Sequence, residues 1–223
     1  MIKSVLEVDS IQKQYEGRNI ISDAYLRSET TDIVGLLGRN GSGKSTFLKI
    51  LYGIENANFK FVRIDGAVKS KTKDLVAEIS YLPQENFIPN SFSVQKAIQL
   101  SIIKDGLEEF YDDEMIQSIQ VKRIKHLSAG ELRYLEIKLV LCKSTKFVLL
   151  DEPYNGLSPI MIEEVNKLLI EKSKTKGIII TDHNYENVLK ISTKLVLMQE
   201  GKLYHLNDKN DLVAKGYLKS EML

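Results

Sequence analysis

Thr31-Asp32-Ile33-Val34-Gly35-Leu36-Leu37-Gly38-Arg39-Asn40-Gly41-Ser42-Gly43-Lys44-Ser45-Thr46 is the stretch on which the fold turns. Residues 31–37 read as a buried strand, because a short apolar run ending in glycine suits a strand covered on both faces. From Lys44 to Tyr52 the apolar positions Phe47, Leu48, Leu51 and Tyr52 recur at helical spacing. Strand, glycine loop and helix follow one another directly. Glycines 38, 41 and 43 let the backbone curl so that successive N–H groups face inward, and a helix starting near Lys44 adds about half a positive charge at its N-terminus. The product is an anion-binding nest, and its spacing matches G-x-x-x-x-G-K-[ST] in the setting that this motif requires. The motif assigns Gly38, Arg39, Asn40, Gly41, Ser42, Gly43, Lys44, Ser45 and Thr46 to nucleotide phosphates, with Lys44 reaching the β- and γ-phosphates and the Ser45 hydroxyl on Mg²⁺.

Working outward, Phe147-Val148-Leu149-Leu150 is a fully apolar strand that ends in Asp151-Glu152-Pro153. Open α/β sheets bind their ligands at the carboxyl ends of strands, so two acids there are badly placed for mere solubility. Asp151 is expected to hold Mg²⁺ through water, and Glu152 to orient and polarise the water that attacks a γ-phosphate. Gly177–Thr181 reads as another buried strand and 159–173 as an amphipathic helix. Residues 4–9, 20–27, 59–64 and 78–82 read as strands, while 93–103 and 107–119 carry helical spacing and make the middle of the chain a helical insertion. Ser128 followed by Glu131 is a capping box that opens a helix running through Leu135, Leu139 and Cys142. Alternating helices and apolar strands imply an α/β fold with a mainly parallel sheet covered on both faces.

The composition sets limits on the rest. A chain of 223 residues holds one large α/β domain but not a second catalytic unit. With 31 Lys and Arg against 30 Asp and Glu, the formal charge of +1 marks the protein for neither nucleic acid nor anionic membrane, so no nucleic-acid partner is expected. The single cysteine, Cys142, lies in the apolar run from Leu139 and reads as a buried helix residue. Apolar stretches are broken by charge well short of the roughly 20 residues that span a bilayer, and no leader-like pattern opens the chain. No heptad or fixed-period repeat is present.

Leu127-Ser128-Ala129-Gly130-Glu131, about twenty residues before the acidic strand, resembles the signature of the ATP-binding cassette (ABC) family, usually Leu-Ser-Gly-Gly-Gln. Other family marks occur in order. Tyr15 stands where the family carries an aromatic that stacks on adenine, Gln84 resembles the glutamine that joins the helical subdomain to Mg²⁺ and the attacking water, and His183 resembles the switch histidine that contacts the γ-phosphate. The resemblance covers almost the whole chain and implies a P-loop NTPase core with an N-terminal antiparallel β-subdomain. Core and β-subdomain would occupy about 1–84 and 145–223, and the helical subdomain about 85–144.

It also implies an ATPase that energises transport. ATP and Mg²⁺ are the expected cofactors, and two cassettes pair head to tail so that Ser128, Ala129, Gly130 and Glu131 of one meet the nucleotide of the other. A membrane-embedded permease would dock on the helical subdomain near Phe87, Ile88, Phe92, Tyr111 and Met115, holding the cassette on the cytoplasmic face of the cell membrane. Three residues depart from the family pattern: Ala129, Glu131, and Ser158 where Asp is more usual. Glutamate at 131 is tolerable near phosphate only if its charge points into its own capping box.

Competing readings divide on single features. Ribosome-acting relatives carry two cassettes in one chain, DNA-acting relatives separate their halves by long heptads, and a small-molecule kinase needs neither the signature nor His183. A stand-alone cassette of a cytosolic cofactor-assembly complex remains as the alternative.

Overall fold

A computed structural model describes residues 3–102 and 107–222. Strands β1 (Val5–Tyr15) and β2 (Arg18–Glu29) form a long antiparallel hairpin, and β1 continues onto antiparallel β4 (Phe59–Ile64), which carries the two-residue β5 (Ala67–Val68). The hairpin extends well beyond 4–9 and 20–27. Register shifts between Val8 and Gln14 interrupt its alternation, which is why its apolar pattern reads as mixed. Between the hairpin and β4 lie β3 (Ile33–Leu37) and helix α1 (Lys44–Tyr52).

The parallel part follows with α2 (Thr72–Val76), β6 (Ile79–Leu82), the helical stretch, β7 (Phe147–Asp151), α7 (Pro159–Ser173), β8 (Gly177–Thr181), α8 (Tyr185–Ile191) and β9 (Lys194–Gln199). Strand β10 (Lys202–Leu206) turns back antiparallel to β9 and meets β2 at Lys202 and Asp23, and α9 (Asn210–Ala214) lies near the end. Among the described residues one curled ten-stranded sheet results, in the order β5-β4-β1-β2-β10-β9-β3-β8-β7-β6.

Two apolar cores explain why the central strands lack polar residues. Val148, Leu150, Ile178 and Ile180 face one core, shared with the helical stretch and α7; Phe147, Leu149 and Ile179 face the other, shared with α1 and the hairpin. Side chains of a strand alternate between faces, so a strand covered on both must be apolar at every position.

The helical stretch comprises α3 (Val94–Ser101), α4 (Leu107–Tyr111), α5 (Glu114–Ile119) and α6 (Ala129–Leu141). Residue 103 of the expected 93–103 helix lies outside the described residues. The expected 107–119 helix is two helices, because the Asp113 carboxylate accepts the Ile116 amide at 3.0 Å and caps a new start. Cys142 is half-buried at the C-cap of α6 rather than inside the helix. The five apolar residues of the expected docking groove also separate: Phe87 is 41% exposed, Ile88 is buried, and Phe92, Tyr111 and Met115 pack partly against the core. Among the described residues, no helix is long and apolar enough to cross a membrane.

Candidate functional site

Strands β3, β8 and β7 lie side by side, and the segments leaving their carboxyl ends build the site. After β3, Gly38 adopts φ 153°, and a Cβ there would stand 2.6 Å from the Met198 carbonyl oxygen, so only glycine lets the loop turn this tightly against β9. Gly43 N-caps α1 in a left-handed conformation with no side-chain cap. The first helical bond is Phe47 N–H to the Gly43 carbonyl at 2.8 Å, which leaves the amides of Lys44, Ser45 and Thr46 ahead of it. Lys44 is buried, and its Nζ donates to the carbonyls of Gly38 (2.7 Å) and Arg39 (3.2 Å). Burial lowers its pKa, against the opposing pull of Glu152, Asp151 and Asp182.

Asp151, the last residue of β7, is fully buried. Its Oδ1 accepts from the Ser45 hydroxyl at 2.9 Å and its Oδ2 from the Tyr81 hydroxyl at 3.1 Å. Burial raises its pKa, while those two hydrogen bonds and Lys49 favour the anion and Glu152 opposes it. Glu152 follows with φ 49°, a left-handed conformation that strains a residue with a Cβ, and its amide is held by the Thr181 carbonyl at 2.8 Å. Gln84 Nε2 donates to Glu152 Oε2 at 2.9 Å, and His183 Nδ1 lies 3.7 Å from the same oxygen.

A cleft of about 460 Å³ collects Tyr15, Ile20, residues 40–46, Gln84, Glu152 and His183. Gly38 and Arg39 shape the loop without lining the cleft; Arg39 Nη2 donates to the Gly216 carbonyl at 3.3 Å. Tyr15 is 43% exposed at the rim, with Lys13 Nζ 4.4 Å from its ring centroid. The hydroxyl of Ser45 and the carboxylate of Asp151 are hard oxygen donors of the kind that takes a divalent cation together with phosphate oxygens and water. Among the described residues, no group of three or more His, Cys, Asp and Glu forms an all-protein metal cage.

Ser128, Ala129, Gly130 and Glu131 are outside the cleft lining. Ser128 Oγ accepts the Glu131 amide at 3.2 Å, Glu131 Oε2 accepts the Ser128 amide at 2.7 Å, and Glu131 Oε1 takes Lys122 at 2.8 Å. The glutamate charge is thus shared between its own cap and Lys122. A Cβ at Gly130 would meet Met161 Sδ at 2.9 Å, so α7 closes on this turn. Ser158 caps α7, its hydroxyl facing the Met161 amide at 3.4 Å.

Residues 21–155, more than half of the chain, match the ABC transporter family. The chain belongs to that family. The ABC cassette is 31% identical over 214 residues to the lipopolysaccharide export system ATP-binding protein LptB of Haemophilus influenzae, covering 90% of this chain and 89% of that protein. It is 25% identical to the ABC transporter ATP-binding protein YtrB of Bacillus subtilis, covering 98% and 76%. A solved ATP-binding subunit of an ABC transporter superposes with TM-score 0.84 at 19% identity, covering 97% of this chain and 95% of that one. A bacterial Atm1-family ABC exporter with ATP bound gives TM-score 0.85 at 18% identity, covering 99% of this chain and 41% of that one. This cassette is the ATP-binding subunit of an ABC transporter, an ATPase coupled to transport.

Sequence reasoning missed Arg133, which reaches the backbone on both sides of Glu152, and Asp182, which accepts the amides of Tyr154 (3.0 Å) and Asn184 (2.9 Å). A signal for the first was present. The helix after Ser128 is apolar nearly all round, so Arg133, Glu136 and Lys138 had no solvent face to occupy and required internal partners.

Proposed function

We propose that the cassette hydrolyses Mg²⁺-ATP in the cleft between the glycine loop and the β7 turn, with a second cassette closing each site. The observation that carries this reading is the convergence of Lys44, Gln84, Glu152 and His183 on one cleft whose rim holds Tyr15. Tyr15 would stack on adenine, and Lys44 with the first amides of α1 would hold the β- and γ-phosphates. Phosphate charge beside Lys44 offsets the burial that disfavours its cation. Ser45 and Asp151 would hold Mg²⁺, which when bound neutralises charge developing on the phosphate oxygens. Glu152 would take the proton of the attacking water. The Gln84 amide on Oε2 fixes the carboxylate and leaves its other oxygen for that proton. His183, on the neighbouring turn, would contact the γ-phosphate.

Ser128 with Ala129 and Gly130 would meet the γ-phosphate of the partner cassette, Glu131 keeping its charge within the cap. The permease would dock through the helical stretch, with exposed Phe87 as the side chain of the expected set that remains available, and would hold the cassette at the cytoplasmic membrane face.

The test is Glu152→Gln, which keeps size and hydrogen bonding but removes the base. Hydrolysis should fall by roughly 10²-fold or more while ATP binding persists. Light scattering should then show an ATP-dependent dimer, and adding Ser128→Arg should return it to monomer. A Glu152→Gln protein that binds ATP yet stays monomeric would remove the self-paired site.

A further inference from the structure

The helix that begins at Ser128 carries a second device one turn inside it. Arg133 is 3% exposed and Glu136 fully buried, in a helix otherwise packed with Leu132, Leu135 and Ile137. A buried guanidinium is tolerated only when its donors are used, and here they are spent on main chain. Nη2 donates to the carbonyls of Asp151 (2.9 Å) and Glu152 (2.8 Å), Nη1 to that of Pro83 (2.8 Å), and Nε to that of Pro153 (3.4 Å). Glu136 acts with the opposite polarity. Its Oε1 accepts the amides of Phe87 (2.8 Å) and Ile88 (3.4 Å), and its Oε2 lies 3.5 Å from Arg133 Nη1.

Two segments are therefore gripped from one helix: the backbone flanking Gln84, and three successive carbonyls around Glu152. Three consecutive carbonyls can converge on one cation only where the chain curls, and it curls at Glu152, whose φ of 49° strains a residue with a Cβ and persists only where its surroundings enforce it. Burying an ion pair is no efficient route to stability, since well-packed apolar residues often do as well. What an apolar side chain could not do is hold four carbonyls to a common point. The Gln84–Glu152 contact at 2.9 Å joins the two gripped segments.

We propose that Arg133, backed by Glu136, is a positioning residue for hydrolysis: it fixes the Asp151–Pro153 turn against the Pro83–Ile88 segment, so that the Glu152 carboxylate and the Gln84 amide stay within reach of each other. This rests on Glu152 as the group that activates water.

The experiment compares Arg133→Met, Arg133→Lys and Glu136→Gln with the parent, each also in the Glu152→Gln background. Arg133→Met should bind ATP with a KM within about threefold of the parent while kcat falls by roughly 10²-fold, the scale expected when a reacting group is displaced by about 1 Å. Arg133→Lys keeps the charge but has too few directed donors to span four carbonyls, so it should recover part of kcat and should fold where Arg133→Met does not. Glu136→Gln should fall between parent and Arg133→Met. In the Glu152→Gln background, the Arg133 variants should lower the residual rate by less than about threefold, because residues acting as one unit are not additive. A kcat for both Arg133 variants within about threefold of the parent overturns the proposal, as does a rise in KM with kcat unchanged. A full additional loss in the Glu152→Gln background does the same, since it would mean that Arg133 acts on something other than Glu152. If Glu152→Gln alone leaves turnover intact, the assignment of the base fails, and that is visible before Arg133 is altered.

Discussion

Helices α1 and α6 start with the same unmet need, first-turn N–H groups that no helical carbonyl can reach, and the chain answers it in opposite ways. Before α1 stands Gly43, left-handed and without a side chain to cap, so the donors of Lys44 to Thr46 stay open towards the cleft. Before α6 stand Ser128 and Glu131 in a reciprocal box, with Lys122 on the outer carboxylate oxygen. The first helix end has no side-chain cap, whereas the second is capped by its own side chains. If α6 meets a phosphate, it meets it with what the cap leaves over: the Ser128 hydroxyl hydrogen and the amides of Ala129 and Gly130, which precede the first helical bond from Leu132 N–H to the Ser128 carbonyl.

The largest effect should come from the open helix. Lys44→Ala keeps the glycine backbone but removes the charge-assisted contacts to phosphate, and ATP affinity should fall by roughly 10²-fold or more, taking turnover with it. Its melting temperature without ATP should change little, because relief of the burial that disfavours the Lys44 cation is opposed by loss of the Nζ hydrogen bonds to the Gly38 and Arg39 carbonyls. Calorimetry and a phosphate-release assay check this; turnover at the parent rate would break the contrast at its stronger end.

A smaller effect sits at the rim of the same cleft. Tyr15→Ala should weaken ATP binding by ~1–3 kcal/mol, on the scale of base–aromatic stacking, and Tyr15→Phe should change it little. Equal losses in both variants, measured by titration calorimetry, would assign the hydroxyl rather than the ring.

The smallest effect belongs to the closed helix and sharpens the comparison most. Glu131→Gln preserves the reciprocal cap, since Gln serves at the same position, and forfeits an ion pair to Lys122 worth about 0–1 kcal/mol. With one negative charge fewer beside the partner's phosphate, the ATP-held dimer of the Glu152→Gln protein should tighten severalfold at low salt, the gain shrinking as salt rises. An unchanged dimer constant would mean that the cap and Lys122 already neutralise Glu131 fully.

How far the sequence could be read depended on whether a residue's job leaves a local pattern. The loop after β3 does, because backbone curvature demands glycines at fixed spacing, and β7 does, because burial on both faces forbids polar residues from Phe147 to Leu150. Ser128 and Glu131 were legible as a cap, since capping is a contact three residues long. The break between α4 and α5 was not, because helical periodicity runs past Asp112 and only the Asp113 side chain marks the restart. The reach of the hairpin was blurred by bulges that shift which side chain faces the core. The need of Arg133 for internal partners was legible, but the partners were not: they are carbonyls of residues about 20 and 50 positions away, and a carbonyl is the same whatever side chain it carries.

The adjacency of β3, β8 and β7 means that the site is measured out by the sheet itself. Neighbouring strands sit about 4.8 Å apart because that is the length of a backbone hydrogen-bond rung, so the loop after β3, the turn bearing His183 and the turn bearing Glu152 stand on a ruler with fixed gradations. Such a scale cannot be stretched by repacking a core or lengthening a side chain. It can change only in whole steps, by inserting or removing a strand. The spacing between the glycine loop and the Glu152 turn is therefore counted in strands, whatever the helical stretch touches.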